Sequence, residues 1–418
     1  MEKRTFIKSF GAFSLIPFFN QPLDIFCETS SIDSLKKITK RDELWEVVRS
    51  QYNLNPDYIN LESGFYNIIP NPTLTSFIDH VKRINYEGSF YMRNYLEKDK
   101  EQVTKSLADL VGCTKEELII TRNTTESLDL IISGFPWIKG DEAIYADQDY
   151  GSMKQMFKQV SKRHGITNKV ISIPNHPKSD EEIVSLYENQ ISEKTRLMMV
   201  PHMINITGQI LPIKKICEMA HKNSVEVMVD GAHCVGHFDF KISELGCDYY
   251  GSSLHKWLAA PLGSGILYVN KKRISKIWPL IASHVEEKNN VKRLNHIGTH
   301  PVHTDLAILN AIDYLNWMGL KRKEERLRFL QNYWTSALRN VSNIIINTPI
   351  ESFRSCGIAN VGIKGISPSD LAKKLMTDYK IFTVAIDYAN VQGCRITPNV
   401  FTSIGELDTL IEALKDMS

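Results

Sequence analysis

Two segments of this 418-residue chain place a carboxylate and a primary amine near the ends of predicted strands. VDGAHCVGHFDF (residues 229 to 240) carries Asp230, and SSLHKWLAAPLGSGILYV (252 to 269) carries Lys256. A lysine amine can form a Schiff base with an aldehyde, and a carboxylate can keep a pyridine nitrogen protonated so that the ring accepts electrons from a substrate α-carbon. The two segments therefore predict a pyridoxal phosphate site, with Lys256 as the Schiff-base residue and Asp230 as the partner of the pyridine nitrogen.

Polar side chains also follow other predicted strands at the point where each strand ends. Residues 123 to 126 follow ELIIT, Asp149 and Tyr150 follow EAIYA, and His202 and Asn205 follow RLMMV. In an open α/β sheet, ligands bind outside the carboxyl ends of the strands. We therefore expect these side chains and the lysine segment to meet at one edge of a sheet.

The segment TRNTTESLDLIISG (121 to 134) predicts a strand end, a turn and an amphipathic helix. Backbone N–H groups and the positive end of the helix make such a turn an anion site, and Thr124 and Thr125 can add hydroxyl donors to a phosphate. The alternative is a helix cap alone, since Asn123 or Thr124 followed by a glutamate also fits a capping box. The lysine segment favours the phosphate interpretation.

Five more side chains are candidates for contacts with the same cofactor. Ser253 and His255 precede the lysine by three positions and by one, so both could reach one phosphate. Tyr150 offers an aromatic face to a pyridine ring, and Asn205 and His233 could hydrogen-bond its phenolic oxygen. Taken singly, such residues are more often structural, so these assignments depend on the lysine and aspartate beside them.

The last candidate is an arginine near the end of the chain. In GCRITPNVFTSIGELDTLIEAL (393 to 414), Arg395 precedes a Thr-Pro turn and a final helix. A guanidinium binds a carboxylate with two parallel charge-assisted hydrogen bonds, which makes Arg395 a candidate receptor for a substrate carboxylate. A lone arginine before a turn is usually a surface residue, and only its neighbours alter that expectation.

Composition argues against several other classes of protein. With 43% hydrophobic residues the chain can bury a large core, and a formal net charge of +2 gives no reason to expect a nucleic acid partner. The seven cysteines are scattered without a Cys-x-x-Cys pair, which argues against a zinc site or a disulfide framework. No Gly-x-Gly-x-x-Gly or P-loop pattern is present, which argues against a dehydrogenase or a nucleotide phosphatase.

The first 30 residues predict an export signal. MEKRTFIKSFGAFSLIPFF has a basic start followed by a short apolar stretch, and Lys3-Arg4-Thr5-Phe6 resembles a twin-arginine signal with lysine in place of the first arginine. This predicts a periplasmic protein. An ordinary cytoplasmic extension is the alternative, because no small-x-small cleavage site is visible. Elsewhere no stretch approaches about 20 uninterrupted apolar residues, so we expect no stable membrane insertion.

The rest of the chain predicts two domains. From about residue 100, short apolar runs alternate with helical patterns, which indicates a mostly parallel α/β sheet with helices on both faces. After about residue 290, long helical segments (304 to 340) and short strands indicate a smaller α+β domain. We therefore expect an N-terminal segment and large domain over residues 31 to 290 and a small C-terminal domain over 291 to 418. The seven strands expected in the large domain are 117 to 121, 142 to 146, 169 to 173, 196 to 200, 225 to 230, 248 to 252 and 265 to 269.

These motifs, taken in order, resemble the class V aminotransferase group of fold-type I pyridoxal phosphate enzymes, and within it the isopenicillin N epimerase-like branch. The resemblance rests on the segments already quoted together with VPHMINITGQILPI and HIGTHP (296 to 301), and it covers most of residues 60 to 418. It implies the fold-type I architecture with a seven-stranded, mostly parallel sheet. It also implies a homodimer, in which Thr299 reaches the phosphate of the neighbouring subunit.

The resemblance assigns the same roles to the site residues. It implies that Lys256 forms the Schiff base and that Asp230 pairs with the pyridine nitrogen. Tyr150 stacks on the ring, and Arg395 receives the substrate carboxylate. The remaining residues hold the phosphate (Thr124, Thr125, Ser253 and His255) or bracket the phenolic oxygen (Asn205 and His233).

The sequence leaves several reactions open. An enzyme of this kind acts on an amino acid or an amino-terminal aminoacyl group, by amino-group transfer, by epimerisation or by β-elimination, and we rank amino-group transfer first. Cysteine desulfurases of the group carry a nucleophilic cysteine well before the arginine, whereas residues 377 to 393 contain none and Cys394 adjoins Arg395. This argues against desulfurase activity. A binding protein without the cofactor is the remaining alternative, and the intact Lys256 and Asp230 argue against it.

Overall fold

A computed structural model of the chain describes residues 41 to 418. The predicted export signal over residues 1 to 30 lies outside the described residues and stays a prediction. No described helix is both long and apolar enough to cross a membrane.

The described residues alternate strands and helices along most of the chain. The strands are β1 (Ile59–Asn60), β2 (Leu118–Thr121), β3 (Glu142–Ala146), β4 (Thr167–Ile171), β5 (Thr195–Pro201), β6 (Glu226–Asp230), β7 (Tyr249–Ser253), β8 (Gly265–Val269), β9 (Ile344–Ile346), β10 (Ala359–Ile363), β11 (Ile381–Phe382), β12 (Val384–Tyr388) and β13 (Val391–Ile396). The α-helices are α1 (Arg41–Ser50), α2 (Asn71–Glu87), α3 (Ser89–Asn94), α4 (Leu96–Val111), α5 (Thr124–Gly134), α6 (Gly151–His164), α7 (Asp180–Glu188), α8 (Ile213–Lys222), α9 (Ile242–Leu245), α10 (Val302–Met318), α11 (Leu320–Leu338), α12 (Pro368–Tyr379) and α13 (Ile404–Asp416).

A seven-stranded sheet of order β2-β8-β7-β6-β5-β3-β4 forms the larger part of the fold. The neighbouring pairs from β7 to β4 are parallel, and β8 runs antiparallel to β2 and β7. β2, β3, β5, β6 and β7 therefore point the same way, and their carboxyl ends lie at one edge of the sheet. This confirms the predicted fold class and collects the predicted polar turns at that edge.

All strands of this sheet except the edge strand β4 are largely buried, because helices cover both faces of the sheet. Successive side chains of a strand point to opposite faces. In β5, Met198 and Val200 join one core, whereas Leu197 and Met199 join the other. A strand buried on both faces therefore has a continuous apolar sequence, as RLMMV has.

A second, smaller sheet of order β12-β13-β10-β9 is antiparallel throughout. Its core includes Trp334 of α11, Leu375 of α12 and Leu410 of α13. β1 pairs in parallel with β11, and Leu61 is buried in the same core. The segment that contains β1 and Leu61, which precedes the large sheet in the sequence, therefore packs against the core of the small sheet.

The predicted elements agree closely with the observed ones in the large sheet. β3 and β8 have the predicted bounds, and the other five strands differ from them by one or two residues at either end. The predicted helical region 304 to 340 consists of two helices that meet at Gly319, whose φ is 83°. α10 contributes Val302 and Leu306 to a core of the large sheet. The predicted domain boundary at residues 290 and 291 stays a prediction.

Gly251 in β7 allows α5 to lie close to the sheet, and its substitution should be costly. A Cβ at this position would lie 2.8 Å from Leu128 Cδ2 and 3.0 Å from Ser127 Cβ. Because these atoms would have to move, Gly251→Ala should lower the free energy of unfolding by about 1–3 kcal/mol, measured by urea unfolding. Gly405→Ala in α13 is the control, since no atom lies within 4 Å of that Cβ, and it should be neutral or slightly stabilising. Equal unfolding midpoints for Gly251→Ala and the unsubstituted protein would contradict the close contact.

Candidate active site

Lys256 lies three residues beyond the end of β7, at the edge where the parallel strands end. Its Nζ atom is 3.1 Å from Nε2 of His233. Burial lowers the pKa of Lys256 to about 8, and the negative charge of Asp230 opposes that shift. The amine is thus held in a site that favours its neutral, nucleophilic form.

The hydrogen bonds of His233 show which partner donates. The indole N–H of Trp257 donates to Nδ1 of His233 over 3.3 Å, and an indole nitrogen can only donate. Nδ1 is therefore an acceptor, and because burial lowers the pKa of His233 well below its usual value, the neutral ring carries its proton on Nε2. The Nε2–H then donates to Lys256 Nζ. An ammonium group has no lone pair to accept this bond, so the contact with this tautomer forms with the neutral amine, whose share the lowered pKa of Lys256 increases.

Trp257 is fixed by two groups beneath the site. The ring of His237 stacks on the indole with centroids 3.6 Å apart and an interplanar angle of 17°. Nδ1–H of His237 donates to the carbonyl oxygen of His233 over 2.7 Å, while its Nε2 accepts from the Gly357 N–H over 2.8 Å. The buried amine of Lys323 donates to the carbonyl oxygen of Trp257. The indole donor therefore has a fixed direction.

Asp230 is the last residue of β6, between β5 and β7. Its Oδ1 accepts from the N–H of Ala232 over 3.0 Å, and its side chain is buried. Burial raises the pKa of Asp230, whereas the Ala232 hydrogen bond and the charge of Lys256 lower it. A buried carboxylate at this position can stabilise a cationic ring nitrogen beside it.

Hydroxyl groups from β7 and α5 meet at the predicted phosphate turn. Ser253 Oγ lies 2.7 Å from Thr124 Oγ1 and accepts from the Thr124 N–H over 3.0 Å. Asn123 caps α5 by accepting from the Glu126 N–H, so the helix cap and the hydroxyl pair coexist. Thr125 is half-buried in the first turn of α5.

His255 supplies the observation that tests whether this turn fits a phosphate. Its Nδ1 atom is buried and has no hydrogen-bond partner among the described residues. Burial also lowers the pKa of His255 to about 4. A phosphate bound at the start of α5 would provide an acceptor for a ring N–H and would favour a protonated ring. The residues present therefore fit a phosphate group.

Tyr150 and Asn205 stand at the exits of β3 and β5. Tyr150 precedes α6 and is 45% exposed, which leaves its ring accessible to a ligand. The backbone carbonyl oxygen of Asn205 accepts from Arg395 Nη1 over 3.2 Å. The proposed contacts of Tyr150 and Asn205 with the cofactor ring stay predictions.

Arg395 reaches this edge from β13, where it meets a residue that the sequence analysis missed. Its Nε donates to Glu62 Oε2 over 3.1 Å, and its Nη2 donates to Glu62 Oε1. Both side chains are buried. Arg395 therefore lies in the small sheet next to the site, with an acidic partner already on its guanidinium.

Thr299 lies in the segment that precedes α10. It is exposed and lines a cavity of about 890 Å³ between α4 and the segment 283 to 300. Its predicted contact with the phosphate of a neighbouring subunit involves a second chain and stays a prediction.

Glu62 and Trp257 are the main additions to the predicted site. Trp257 follows the lysine directly, so its position in the sequence places it near the site. Its hydrogen bond to His233 depends on the fold and cannot be predicted from that position. Glu62 follows the two-residue strand β1, and nothing in LESGF indicates a partner near the end of the chain.

Comparison with known proteins identifies the family of the chain. The family model for aminotransferase class-V matches residues 75 to 385. The chain belongs to the class-V aminotransferase family. It is 26% identical to isopenicillin N epimerase of Streptomyces clavuligerus over 88% of this chain and 97% of that protein. It is 27% identical to the epimerase of Amycolatopsis lactamdurans over 90% and 98% of the two chains. A cysteine desulfurase of Haloferax volcanii is 22% identical over 85% and 88%.

Solved structures of the same fold include enzymes with other activities. A mutant of C-DES with glycine covalently linked to the PLP cofactor superposes with a TM-score of 0.80 at 20% identity, covering 88% of this chain and 99% of that one. Apo cysteine desulfurase from Thermococcus onnurineus NA1 gives a TM-score of 0.79 at 20% identity, covering 89% and 97%. These likenesses support the fold of this class-V aminotransferase family member.

Trp257→Phe should change the tautomer of His233. Loss of the indole donor removes the bond that keeps Nδ1 an acceptor, so we expect the preference for the Nε2–H tautomer to fall about fivefold. Long-range ¹⁵N–¹H correlation spectra of histidine-labelled protein measure the tautomer, with His233→Gln to assign the signal. Trp334→Phe is the matched control, because Trp334 is as deeply buried but lies in the small-sheet core. The same tautomer in Trp257→Phe as in the unsubstituted protein would contradict the role of the indole.

Proposed function

We propose that this chain is a pyridoxal phosphate enzyme that removes a proton from the amine-bearing carbon of an amino acid or aminoacyl substrate. The observation that carries the proposal is the buried amine of Lys256, which lies 3.1 Å from Nε2 of His233 just beyond the end of β7 and has a pKa lowered to about 8. The cofactor is pyridoxal 5'-phosphate, and the hydroxyls of Thr124 and Ser253, the start of α5 and His255 hold its phosphate. When bound, it supplies an aldehyde for amines and a ring that withdraws electrons from the substrate carbon.

The residues of the chain supply the remaining chemistry. Lys256 is the base that takes the α-proton, because its lowered pKa leaves a large share of the amine neutral near pH 8. Asp230 holds a proton on the ring nitrogen. When the cofactor is bound, the Nε2–H of His233 is available to its phenolic oxygen. The ring of Tyr150 covers the pyridine ring of the cofactor.

Amino-group transfer, epimerisation and β-elimination share this proton removal. The family supports amino-group transfer, and the likeness to two isopenicillin N epimerases over nearly the whole chain favours epimerisation as the second candidate. Desulfurase activity has less support, because Cys394 is fully buried and burial raises the pKa of its thiol to about 11. A buried thiol of that kind does not provide the thiolate that persulfide transfer requires.

Two further parts of the proposal rest on the sequence. We propose a homodimer in which Thr299 completes the phosphate site of the neighbouring subunit, and export by the twin-arginine-like segment over residues 1 to 30. Neither affects the assignment of Lys256.

Borohydride reduction should fix the cofactor to Lys256. The purified protein should be yellow, and peptide mass mapping after reduction should place the added mass on the peptide that contains Lys256. Lys256→Arg, which keeps a long basic side chain but cannot form the bond, should carry no label. Lys323 is the internal comparison, because burial lowers its pKa to about 7 and it bonds the neighbouring carbonyl of Trp257. A label on Lys323 would contradict the assignment.

Incubation with candidate amino acids in heavy water separates the reactions. We expect the α-proton to exchange for deuterium in the unsubstituted enzyme and to be retained with Lys256→Arg. Formation of a keto acid without release of ammonia indicates amino-group transfer, and a keto acid with released ammonia indicates β-elimination. Inversion without a keto acid indicates epimerisation. Unchanged α-protons with every substrate would refute the proposed proton removal, and rapid sulfide release from cysteine would overturn the argument against a desulfurase.

A further inference from the structure

We propose that Glu62 is a specificity-determining residue that makes the Arg395 site neutral, so that the enzyme prefers an amine substrate bearing an amide carbonyl to one bearing a free α-carboxylate. The inference rests on the proposed function and refines it. Of the two substrate classes left open, it selects an amino-terminal aminoacyl group over a free amino acid.

Glu62 is fixed in place by more than its ion pair with Arg395. Its Oε1 accepts from the backbone N–H of Phe65 over 2.9 Å, and its own N–H donates to Asn60 Oδ1 over 3.1 Å. An isolated bridge also pairs Glu62 with Thr397, two residues beyond Arg395. The carboxylate is therefore part of the framework of the site. A substrate that displaced it would have to break several buried hydrogen bonds.

The guanidinium is equally confined. Nε and Nη2 are directed to Glu62, and Nη1 donates to the carbonyl oxygen of Asn205 over 3.2 Å. A Cβ at Gly64 would lie 2.9 Å from the Arg395 Cζ atom, so the backbone closes one side of the group. Of the two edges of the guanidinium that can form parallel bonds with a carboxylate, Glu62 thus occupies the one formed by Nε and Nη2. The remaining N–H donors can still bind a carbonyl oxygen.

The pair also acts on the reacting amine. The positive charge of Arg395 lowers the pKa of Lys256, and the negative charge of Glu62 raises it. Both charges therefore lie close enough to influence a ligand bound beside Lys256. Because the two charges have opposite signs, the pair has no net charge to attract a substrate carboxylate, and the carboxylate of Glu62 repels it. A neutral carbonyl oxygen is not repelled and can accept a hydrogen bond from the guanidinium.

Binding of acetate and acetamide to the full-length protein as purified tests the proposal, because the two probes have nearly the same shape and differ in charge. Dissociation constants come from NMR titration of the probes at constant ionic strength. The unsubstituted protein should bind acetate no more tightly than acetamide. Glu62→Gln should bind acetate about 10- to 100-fold more tightly than the unsubstituted protein, with little change for acetamide, because the guanidinium regains an uncompensated charge. The gain should disappear in the Glu62→Gln, Arg395→Gln double variant.

Glu406→Gln is the matched control. Glu406 also forms a two-bonded ion pair, with Arg49, and glutamine can retain its capping role at α13. Its substitution removes the same charge and should leave acetate binding unchanged. If Glu62→Gln does not fold, the dissociation constants of the unsubstituted protein still test the proposal. Clearly tighter binding of acetate than of acetamide overturns it. An unchanged acetate affinity in folded Glu62→Gln also overturns it.

Measurements of enzyme activity test whether the Glu62–Arg395 pair determines substrate choice. The rate of α-deuterium exchange should favour alaninamide over alanine in the unsubstituted enzyme, and Glu62→Gln should shift that ratio of kcat/KM toward alanine by about tenfold or more. Probe binding does not require the cofactor. If the protein proves colourless and does not exchange the α-proton, the proposed function fails while acetate binding still tests Glu62. If exchange occurs but the ratio does not change, the function stands and the role of Glu62 fails.

Discussion

The direction of one chain of hydrogen bonds determines the chemistry of the site. Trp257 can only donate, so His233 must accept at Nδ1 and donate at Nε2, and the Lys256 amine must accept. Burial favours the same state, because it lowers the pKa of both His233 and Lys256. Hydrogen bonding and desolvation therefore both increase the neutral share of the Lys256 amine. The stacked ring of His237 holds the Trp257 indole, which is the first donor in this series of hydrogen bonds.

The location of the site could be predicted because it depends on strand direction. Parallel strands bring their carboxyl ends to one edge, so apolar runs followed by polar residues identify the edge without any knowledge of distances. The contact between Thr124 and Ser253 illustrates this, since it joins residues 129 positions apart that the sequence assigned to the same phosphate. Most of the seven strands were found for a similar reason: they are buried on both faces and so are short continuous apolar runs, whereas the edge strand β4 is partly exposed.

The parts that escaped prediction depend on pairing between distant or ambiguous groups. Glu62 and Arg395 are 333 positions apart and meet only because the segment after β1 lies beside β13. The tautomer of His233 cannot be obtained from sequence, since it is set by whichever donor or acceptor lies at Nδ1. The role of Thr299 depends on a second chain. In each case the sequence shows the residue type but not the group that the residue contacts.

The buried pair of Glu62 and Arg395 has consequences for how Arg395 can be studied. Replacing a buried ion pair by apolar groups is often neutral for stability, whereas removing one partner leaves an unpaired buried charge. Loss of Arg395 alone would leave Glu62 uncompensated near Lys256. It would also remove the positive charge that lowers the pKa of that amine. The amine would then be protonated more readily, and the rate would fall even if Arg395 never touched the substrate. The contribution of Arg395 to substrate binding is therefore separable only when Glu62 is neutralised in the same protein.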